Sequence, residues 1–286
     1  MRLTRLGLLN RALLLCIIAP SSQWAFAQTA ARPAASPAAT PADIRVRVTE
    51  IGVDATTPED PAVNKMLEVY SPKVRALDSV IGKLKGELRK GGAGSGSMGN
   101  FVTDALRAES GRKLGSPILL AVTNGGGLRK SVIAEGDIKV RDVFELLPFE
   151  NALVAFDLTG AQVLDLLRIV VLRRDAQSGA RIKYRTNAEK KLELVTARFV
   201  ADGQEKEIDP AATYTVVSID YLLNVAGGDY GVVLKQAKNI RPLGLTMRDA
   251  VTDYIKSETA AGRQINAAFD GRFITEPGTV EEPPND

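Results

Sequence analysis

Apolar positions at Val63, Met66, Leu67, Tyr70, Val74, Leu77 and Ile81 recur at spacings of three and four. That spacing predicts an amphipathic helix over residues 61–81, interrupted at Pro72. Phe101, Val102, Ala105 and Leu106 predict a second helix, opening near Gly99-Asn100 after the glycine-rich stretch 91–97. Residues 118–123 form a short apolar strand that runs into Asn124-Gly125-Gly126-Gly127, and residues 140–147 a short helix stopped by Pro148. Residues 152–158 read as a strand. Thr159 with Gln162 then makes a capping-box pattern ahead of Val163, Leu164, Leu166, Leu167 and Val170, the buried face of a helix. Residues 192–200 and 205–208 flank Asp202-Gly203, a hairpin signal. Residues 214–220 are another strand and Gly227-Gly228-Asp229-Tyr230-Gly231 is a loop. Thr246 caps a last helix with Met247, Ala250, Val251, Tyr254 and Ile255 on one face. Strands and helices interleave, so the pattern predicts an α/β or α+β class with a mixed sheet.

The two ends of the chain fall outside this pattern. Arg2, Arg5 and Arg11 precede or enter an apolar run at residues 12–19, and Ala25-Phe26-Ala27 has the form of a cleavage site. Residues 1–27 therefore read as a secretory signal peptide. An apolar run of about eight residues is short of the roughly 20 that span a bilayer, so stable membrane insertion is not expected. Cys16 raises lipidation as a minor alternative, although Leu15 stands where a small residue would be expected. Residues 28–42 are an Ala/Pro-rich linker, and residues 277–286 an acidic, proline-rich tail expected to be disordered.

Charge changes its meaning once the signal is removed. The 286 residues carry 37 Lys+Arg against 34 Asp+Glu. The signal holds three arginines and no acid, so the mature chain is formally neutral and gives no reason to expect nucleic acid as a partner. The one cysteine and the one tryptophan also leave with the signal. A cysteine-free mature chain suits an oxidising compartment, and the arginine-rich start points to the bacterial periplasm.

The chain has no histidine. That excludes Ser-His-Asp and Cys-His pairs, His-ligated metals and a histidine general base. Chemistry is left to three glycine-bearing loops, where a ligand can approach the backbone closely. Residues 91–99 lack the Gly-Lys-Ser/Thr ending of a phosphate-binding loop and read as a connector. Residues 123–129 can place the Arg129 guanidinium beside a backbone-lined pocket, or form a plain strand-exit turn with a solvated arginine. In the third loop Asp229 can accept hydrogen bonds from hydroxyls, or simply shape a turn.

Taken in order, these segments resemble a known family. Gly99-Asn100-Phe101-Val102-Thr103-Asp104-Ala105-Leu106-Arg107 is similar to the G-N-L-x-x-D-A-x-R helix of the 5′-nucleotidase C-terminal domain. Residues 123–129 are similar to its N-G-G-G-I-R loop. Gly136-Asp137-Ile138, Leu147-Pro148-Phe149-Glu150-Asn151, Leu158-Thr159-Gly160, Ser178-Gly179, Gly227-Gly228-Asp229 and Gly271-Arg272-Phe273-Ile274 follow in family order. The resemblance implies an α+β fold, a mixed sheet with packed helices. It divides the chain into an interdomain-type helix region with a glycine-rich loop (43–98) and the C-terminal-like domain (99–276).

In this family an N-terminal metallophosphoesterase domain carries two metals and a His-Asp pair, and the C-terminal domain supplies the substrate pocket. The resemblance here covers only the latter. It implies a chain that binds a nucleoside or nucleotide, has no cofactor of its own, and depends on a separate metallophosphoesterase subunit, holding divalent metals, for hydrolysis. No catalytic and no metal-binding residue is expected in this chain. Carried over by position, Asn124 and Arg129 face the ribose or phosphate end and Phe149 stacks on the base. Asn151 contacts the base, Gly179 lines the pocket wall, and Asp229 binds ribose hydroxyls.

Two departures stand against this. The second stacking aromatic falls at Leu223, with Tyr221 two residues away, and a phosphate-facing arginine falls at Gly92, with Arg89 and Lys90 out of register. The closing motif also reads Gly-Gly-Asp-Tyr-Gly instead of Gly-Gly-Asp-Gly-aromatic. The alternative function is therefore a non-catalytic periplasmic scaffold or interaction module with a vestigial pocket. A transfer enzyme for another phosphoester, working with a partner, is a third possibility.

Overall fold

The computed structural model describes residues 46–224, 228–266 and 269–276. The signal segment, the Ala/Pro-rich linker, Gly227 and the acidic tail lie outside them. The chain divides into two units, Met1–Pro58 and Glu59–Asp286. The described part of the first, residues 46–58, has no helix or strand, and its side chains are exposed. Among the described residues no helix is long and apolar enough to cross a membrane.

The second unit begins with two short helices, α1 (Pro61–Leu67) and α2 (Ser71–Ala76). Asp60 caps α1 by accepting from the Ala62 and Val63 N–H groups, and Pro72 sits in the first turn of α2, where its missing N–H costs nothing. The interruption expected at Pro72 is present, but neither helix buries a residue. The long helix expected to 81 ends earlier, because Ile81 belongs to strand β1 (Val80–Lys85) and is buried there. β2 (Leu88–Arg89) and a short 3-10 turn (Ala93–Ser95) lead into α3 (Gly96–Leu114), which starts three residues before Gly99.

The remaining elements follow in the order β3 (Leu120–Thr123), a 3-10 turn (Gly125–Gly127), β4 (Val132–Ile133), β5 (Gly136–Lys139), α4 (Val140–Leu146), β6 (Ala152–Thr159) and α5 (Gly160–Arg173). After them come β7 (Ala176–Ser178), β8 (Ala180–Thr186), β9 (Leu192–Ala201), β10 (Gln204–Glu207) and β11 (Thr213–Ile219). The chain closes with α6 (Asp220–Asn224), α7 (Asp229–Leu234), β12 (Lys238–Thr246), α8 (Met247–Ala260), β13 (Ile265–Asn266) and β14 (Phe273–Thr275).

Two capping boxes fix the starts of long helices. Thr159 and Gln162 cap α5, while Thr246 and Asp249 cap α8. The Asp202-Gly203 hairpin also forms, with both residues at positive φ and Gln204 opposite Ala201.

The central sheet has the order β12-β6-β11-β3-β7. Its β11–β3 pair is parallel and its other pairs are antiparallel. A second sheet, β10-β9-β8-β14, is mixed in the same way, and β13-β1-β5 forms a third. The class is α+β with mixed sheets. Helix α3 packs on α8 and β7, and α5 packs on β9 and β6. Phe101, Val102, Leu106, Phe156, Leu166, Leu167, Val216 and Met247 are among the side chains that fill the core between them.

The register of the central sheet sets which loops lie side by side. Ile219 lies opposite Leu153, Val217 beside Ala121, and Thr123 opposite Ala176. The ends of β3 and β11 and the starts of β6 and β7 therefore share one edge. Asn151, Tyr221, Asn124 and Asp175 each lie one or two residues beyond their strand on that edge.

Candidate functional site

At this edge the first two glycine-bearing loops meet the start of α7, which forms at Asp229 where a loop was expected to run on to Gly231. Ser95, from the first, is buried in a left-handed conformation, and its Oγ donates to the Arg174 carbonyl at 3.2 Å. It lies against Gly125 of the second loop, so closely that a Cβ on Gly125 would overlap the Ser95 hydroxyl. The Gly125 N–H donates to Asp175 Oδ1 at 2.7 Å, and the Tyr230 hydroxyl of α7 donates to Asp175 Oδ2 at 2.7 Å. One buried carboxylate thus ties the second loop to α7.

Asn124 follows β3 directly. Its side chain lies over the glycine run, 3.3–3.4 Å from where side chains on Gly126 and Gly127 would begin. Its Oδ1 is buried and accepts no hydrogen bond among the described residues. Such an atom is uncommon, because buried polar groups are nearly always paired. Arg129, four residues after Gly125, is exposed, while its N–H is anchored on the Leu146 carbonyl at 2.8 Å. Lys90 Nζ donates to the Leu128 carbonyl at 2.8 Å. Burial lowers the Lys90 pKa and the neighbouring Arg129 charge lowers it further, against an opposing pull from Asp175. Gly92 sits at φ 64°, a conformation an arginine would resist. Lys90, two residues before Gly92, sends its side chain instead to the 123–129 loop.

Phe149 belongs to the turn between α4 and β6. Arg248 holds that turn, donating from Nε to the Leu147 carbonyl at 3.0 Å and from a terminal nitrogen to the Pro148 carbonyl at 3.1 Å. The same guanidinium covers the Phe144 ring at 4.3 Å. Phe149 itself is half-exposed and makes no ring contact among the described residues. The Asn151 carbonyl accepts from the Met247 N–H at 2.8 Å, which fixes the end of the turn. Tyr221 is exposed on the same edge, whereas Leu223 packs against the core.

Asp229 opens α7 and is half-exposed, with Arg173 at 3.4 Å. Tyr230, the next residue, is turned into the interior; burial raises its pKa well above the ordinary value, and the Asp175 charge raises it further. Tyr230 is thus removed from any stacking role.

Asn124, Arg129, Phe149, Asn151 and Asp229 are brought to this end of the molecule. Gly179 is not. By the β3–β7 register it lies beside Leu119 and Leu120, four residues along the strand from Asp175, or roughly 13 Å away. It lines instead a groove of about 900 Å³ that includes Asp104, Arg107, Arg181, Asp270 and Arg272. The most buried charge there, Arg272, is bonded to Asp104 at 2.9 Å and Asp270 at 2.6 Å. Gly179 is glycine for a local reason. Its φ is 113°, and a Cβ would overlap the Leu119 carbonyl. A Ser-Gly pair in sequence carries no sign of which end of a strand it will occupy.

The model of the 5′-nucleotidase C-terminal domain matches residues 80–236, more than half of the chain. The chain belongs to that family. The 5′-nucleotidase precursor of Thermus thermophilus has a similar structure, with a TM-score of 0.62 and 29% identity, over 79% of this chain and 44% of that one. The trifunctional nucleotide phosphoesterase protein YfkN of Bacillus subtilis is 26% identical over 233 residues, 79% of this chain and 15% of its own length. Protein UshA of Escherichia coli is 30% identical over 189 residues, 60% of this chain and 31% of its own. The chain therefore spans less than half the length of each of these relatives. As a 5′-nucleotidase C-terminal domain it belongs to a nucleotide-related family. Sequence reasoning had passed over two charged residues here, Asp175 and Arg173, and had set Lys90 aside as out of register. A charged residue immediately after an amphipathic helix was the one available signal for the first two.

Proposed function

We propose that this chain is the nucleoside- or nucleotide-binding half of a 5′-nucleotidase system, exported to the periplasm by its N-terminal signal. Asn124 and the cations Arg129 and Lys90 take the ribose-phosphate end. Asp229 accepts from ribose hydroxyls, and Phe149 with Asn151 receives the base. The observation that carries this reading is the Asn124 Oδ1, buried and without a hydrogen-bond donor among the described residues, beside a glycine run whose carbonyl side is reached by Lys90 and Arg129. The edge from Asn151 to Asp175 crosses four adjacent strands, roughly 14 Å, a span suited to an extended mononucleotide.

The sequence has no histidine, and among the described residues no three acidic, histidine or cysteine side chains gather. The proposal assigns the divalent metals and the bond-breaking step to a separate metallophosphoesterase partner, and to this chain the tasks of binding and orienting.

Calorimetric titration of the mature chain with AMP, adenosine and a UDP-sugar tests the reading. Binding by AMP that is weakened by Phe149→Ala and by Asp229→Ala is expected. A stacked base is worth about 1–3 kcal/mol, so Phe149→Ala should cost roughly fivefold or more. No heat with any of the three ligands overturns it in favour of a scaffold with a vestigial pocket, the reading that Leu223 and the buried Tyr230 favour.

A further inference from the structure

Asp175 is 4% exposed and so offers almost no surface of its own to a ligand. It directly follows Arg174, whose φ of 59° turns the chain from α5 into β7 and aims the carboxylate into the interior. Each oxygen has a short partner on a different loop: the Gly125 N–H on Oδ1 and the Tyr230 hydroxyl on Oδ2, both at 2.7 Å. Arg173 completes the group. Its Nε lies 3.4 Å from Asp175 Oδ2, a terminal nitrogen lies 3.4 Å from Asp229, and its guanidinium is 5.8 Å from the centre of the Tyr230 ring.

The unusual order Gly-Gly-Asp-Tyr-Gly makes this possible. Neighbours on a helix point about 100° apart, so Asp229 can face outward while Tyr230 goes inward to Asp175. A buried carboxylate is costly unless its lone pairs are satisfied, so loss of either loop from its place leaves Asp175 short of a partner. Both loops are thereby held to one point.

We propose that Asp175 is a positioning residue which, with Tyr230 and Arg173, couples the 124–129 loop to the turn carrying Asp229, so that the two ligand-bearing segments order together. The part of this that concerns ligand rests on the nucleotide-binding reading above; the coupling of the loops does not.

Tyr230→Phe removes the hydroxyl and keeps the ring, and Asp175→Asn keeps the shape and removes the charge. Backbone amide hydrogen exchange is followed for wild type and both variants in the whole mature chain, and AMP affinity is measured alongside. In Tyr230→Phe, exchange at residues 125–129 should rise about tenfold, although the changed side chain is in another loop, while α3 and the central strands keep their protection. AMP affinity should fall at least about threefold. Unchanged exchange at 125–129 in both variants overturns the coupling. An equal rise throughout the chain also overturns it, since that is what a general loss of stability gives. If wild type binds AMP and Tyr230→Phe binds it equally well despite a loosened loop, the positioning role is overturned. If wild type binds no nucleotide, the functional reading fails, and the exchange data alone still decide whether the loops are coupled.

Discussion

At the Leu119 end of β3, Arg272 is nearly buried between Asp104 and Asp270, and the Ser178 hydroxyl completes the Asp104 contacts at 2.5 Å. At the Asn124 end, Asp175 is also buried, but its close partners are a backbone N–H and a phenol, and its arginine stands off at 3.4 Å. Beside it Asn124 Oδ1 has no hydrogen-bond donor among the described residues, and the exposed Arg129 makes only a long contact, 3.4 Å, to the Gly126 carbonyl. Both ends join acids and arginines to glycines. The first end closes Arg272 on two acids, although Arg181 Nε in the same groove is buried with no hydrogen-bond partner among the described residues. The second spends its buried acid on holding loops and leaves polar groups open. Residue type does not separate a structural ion pair from a binding site; the degree to which each group is already satisfied does.

The largest expected effect tests the two glycines. Gly179→Ala adds a Cβ that overlaps a backbone carbonyl at a positive φ, and should cost more than about 3 kcal/mol in urea unfolding. Gly125→Ala meets only the Ser95 hydroxyl, which can rotate away for the loss of one hydrogen bond, about 1 kcal/mol. Equal costs would erase the distinction between a closed end and an adaptable one.

Arginine replacement should give the next largest difference. Arg272→Ala leaves two carboxylates without their shared cation, and about 2–4 kcal/mol is expected in the same measurement. Arg173, half-exposed and at longer range, should cost below about 1 kcal/mol. A smaller effect should follow from Arg129→Ala. Stability should stay within about 0.5 kcal/mol of wild type, while AMP affinity falls about tenfold and adenosine affinity holds. Equal loss for both ligands in calorimetry would mean that the cation does not face the phosphate.

The smallest effect is in the pH profile, and its two ends should have opposite signs. Burial raises Asp175 above the ordinary aspartate value of 3.8, against the donors Tyr230, Gly125 and Arg173. A raised folded value means that protonation favours the fold, so the contribution grows as pH falls through that value and is complete below 3.8. Burial also pushes Asp270 up, but the hydrogen bonds and charge of Arg272 outweigh it and hold the group below 3.8. Its contribution is present above 3.8 and is lost as pH falls through the lowered value. Relative to Asp175→Asn, wild type should therefore gain stability as pH falls toward 3.8; relative to Asp270→Asn, it should lose stability as pH falls below 3.8. Shifts of the same sign would break the contrast.

Much of the fold was legible because local rules decided it. The Thr159–Gln162 box, the apolar run before Asn124 and the Asp202-Gly203 turn each state their own geometry within a few residues. The strands β8 and β12 were not anticipated. β8 has charged residues on its open face, and β12 contains Gly and Pro; both exist because a partner strand supplies their hydrogen bonds. The 61–81 helix was over-extended for the related reason that Ile81 owes its burial to β1, although its spacing also continues the helical pattern.

By itself the sequence determined the family, through motifs in a fixed order, and excluded histidine-dependent chemistry in this chain. It also named five of the residues gathered at the loop junction. Tertiary structure alone decided that Gly179 belongs to the other end of β3, that the Lys90 side chain reaches the 123–129 loop, and that Asp175 joins segments 50 and 55 residues away from it. Motifs record what a short segment does with its own backbone. Which groups are left unsatisfied depends on neighbours that only strand register and packing bring into contact.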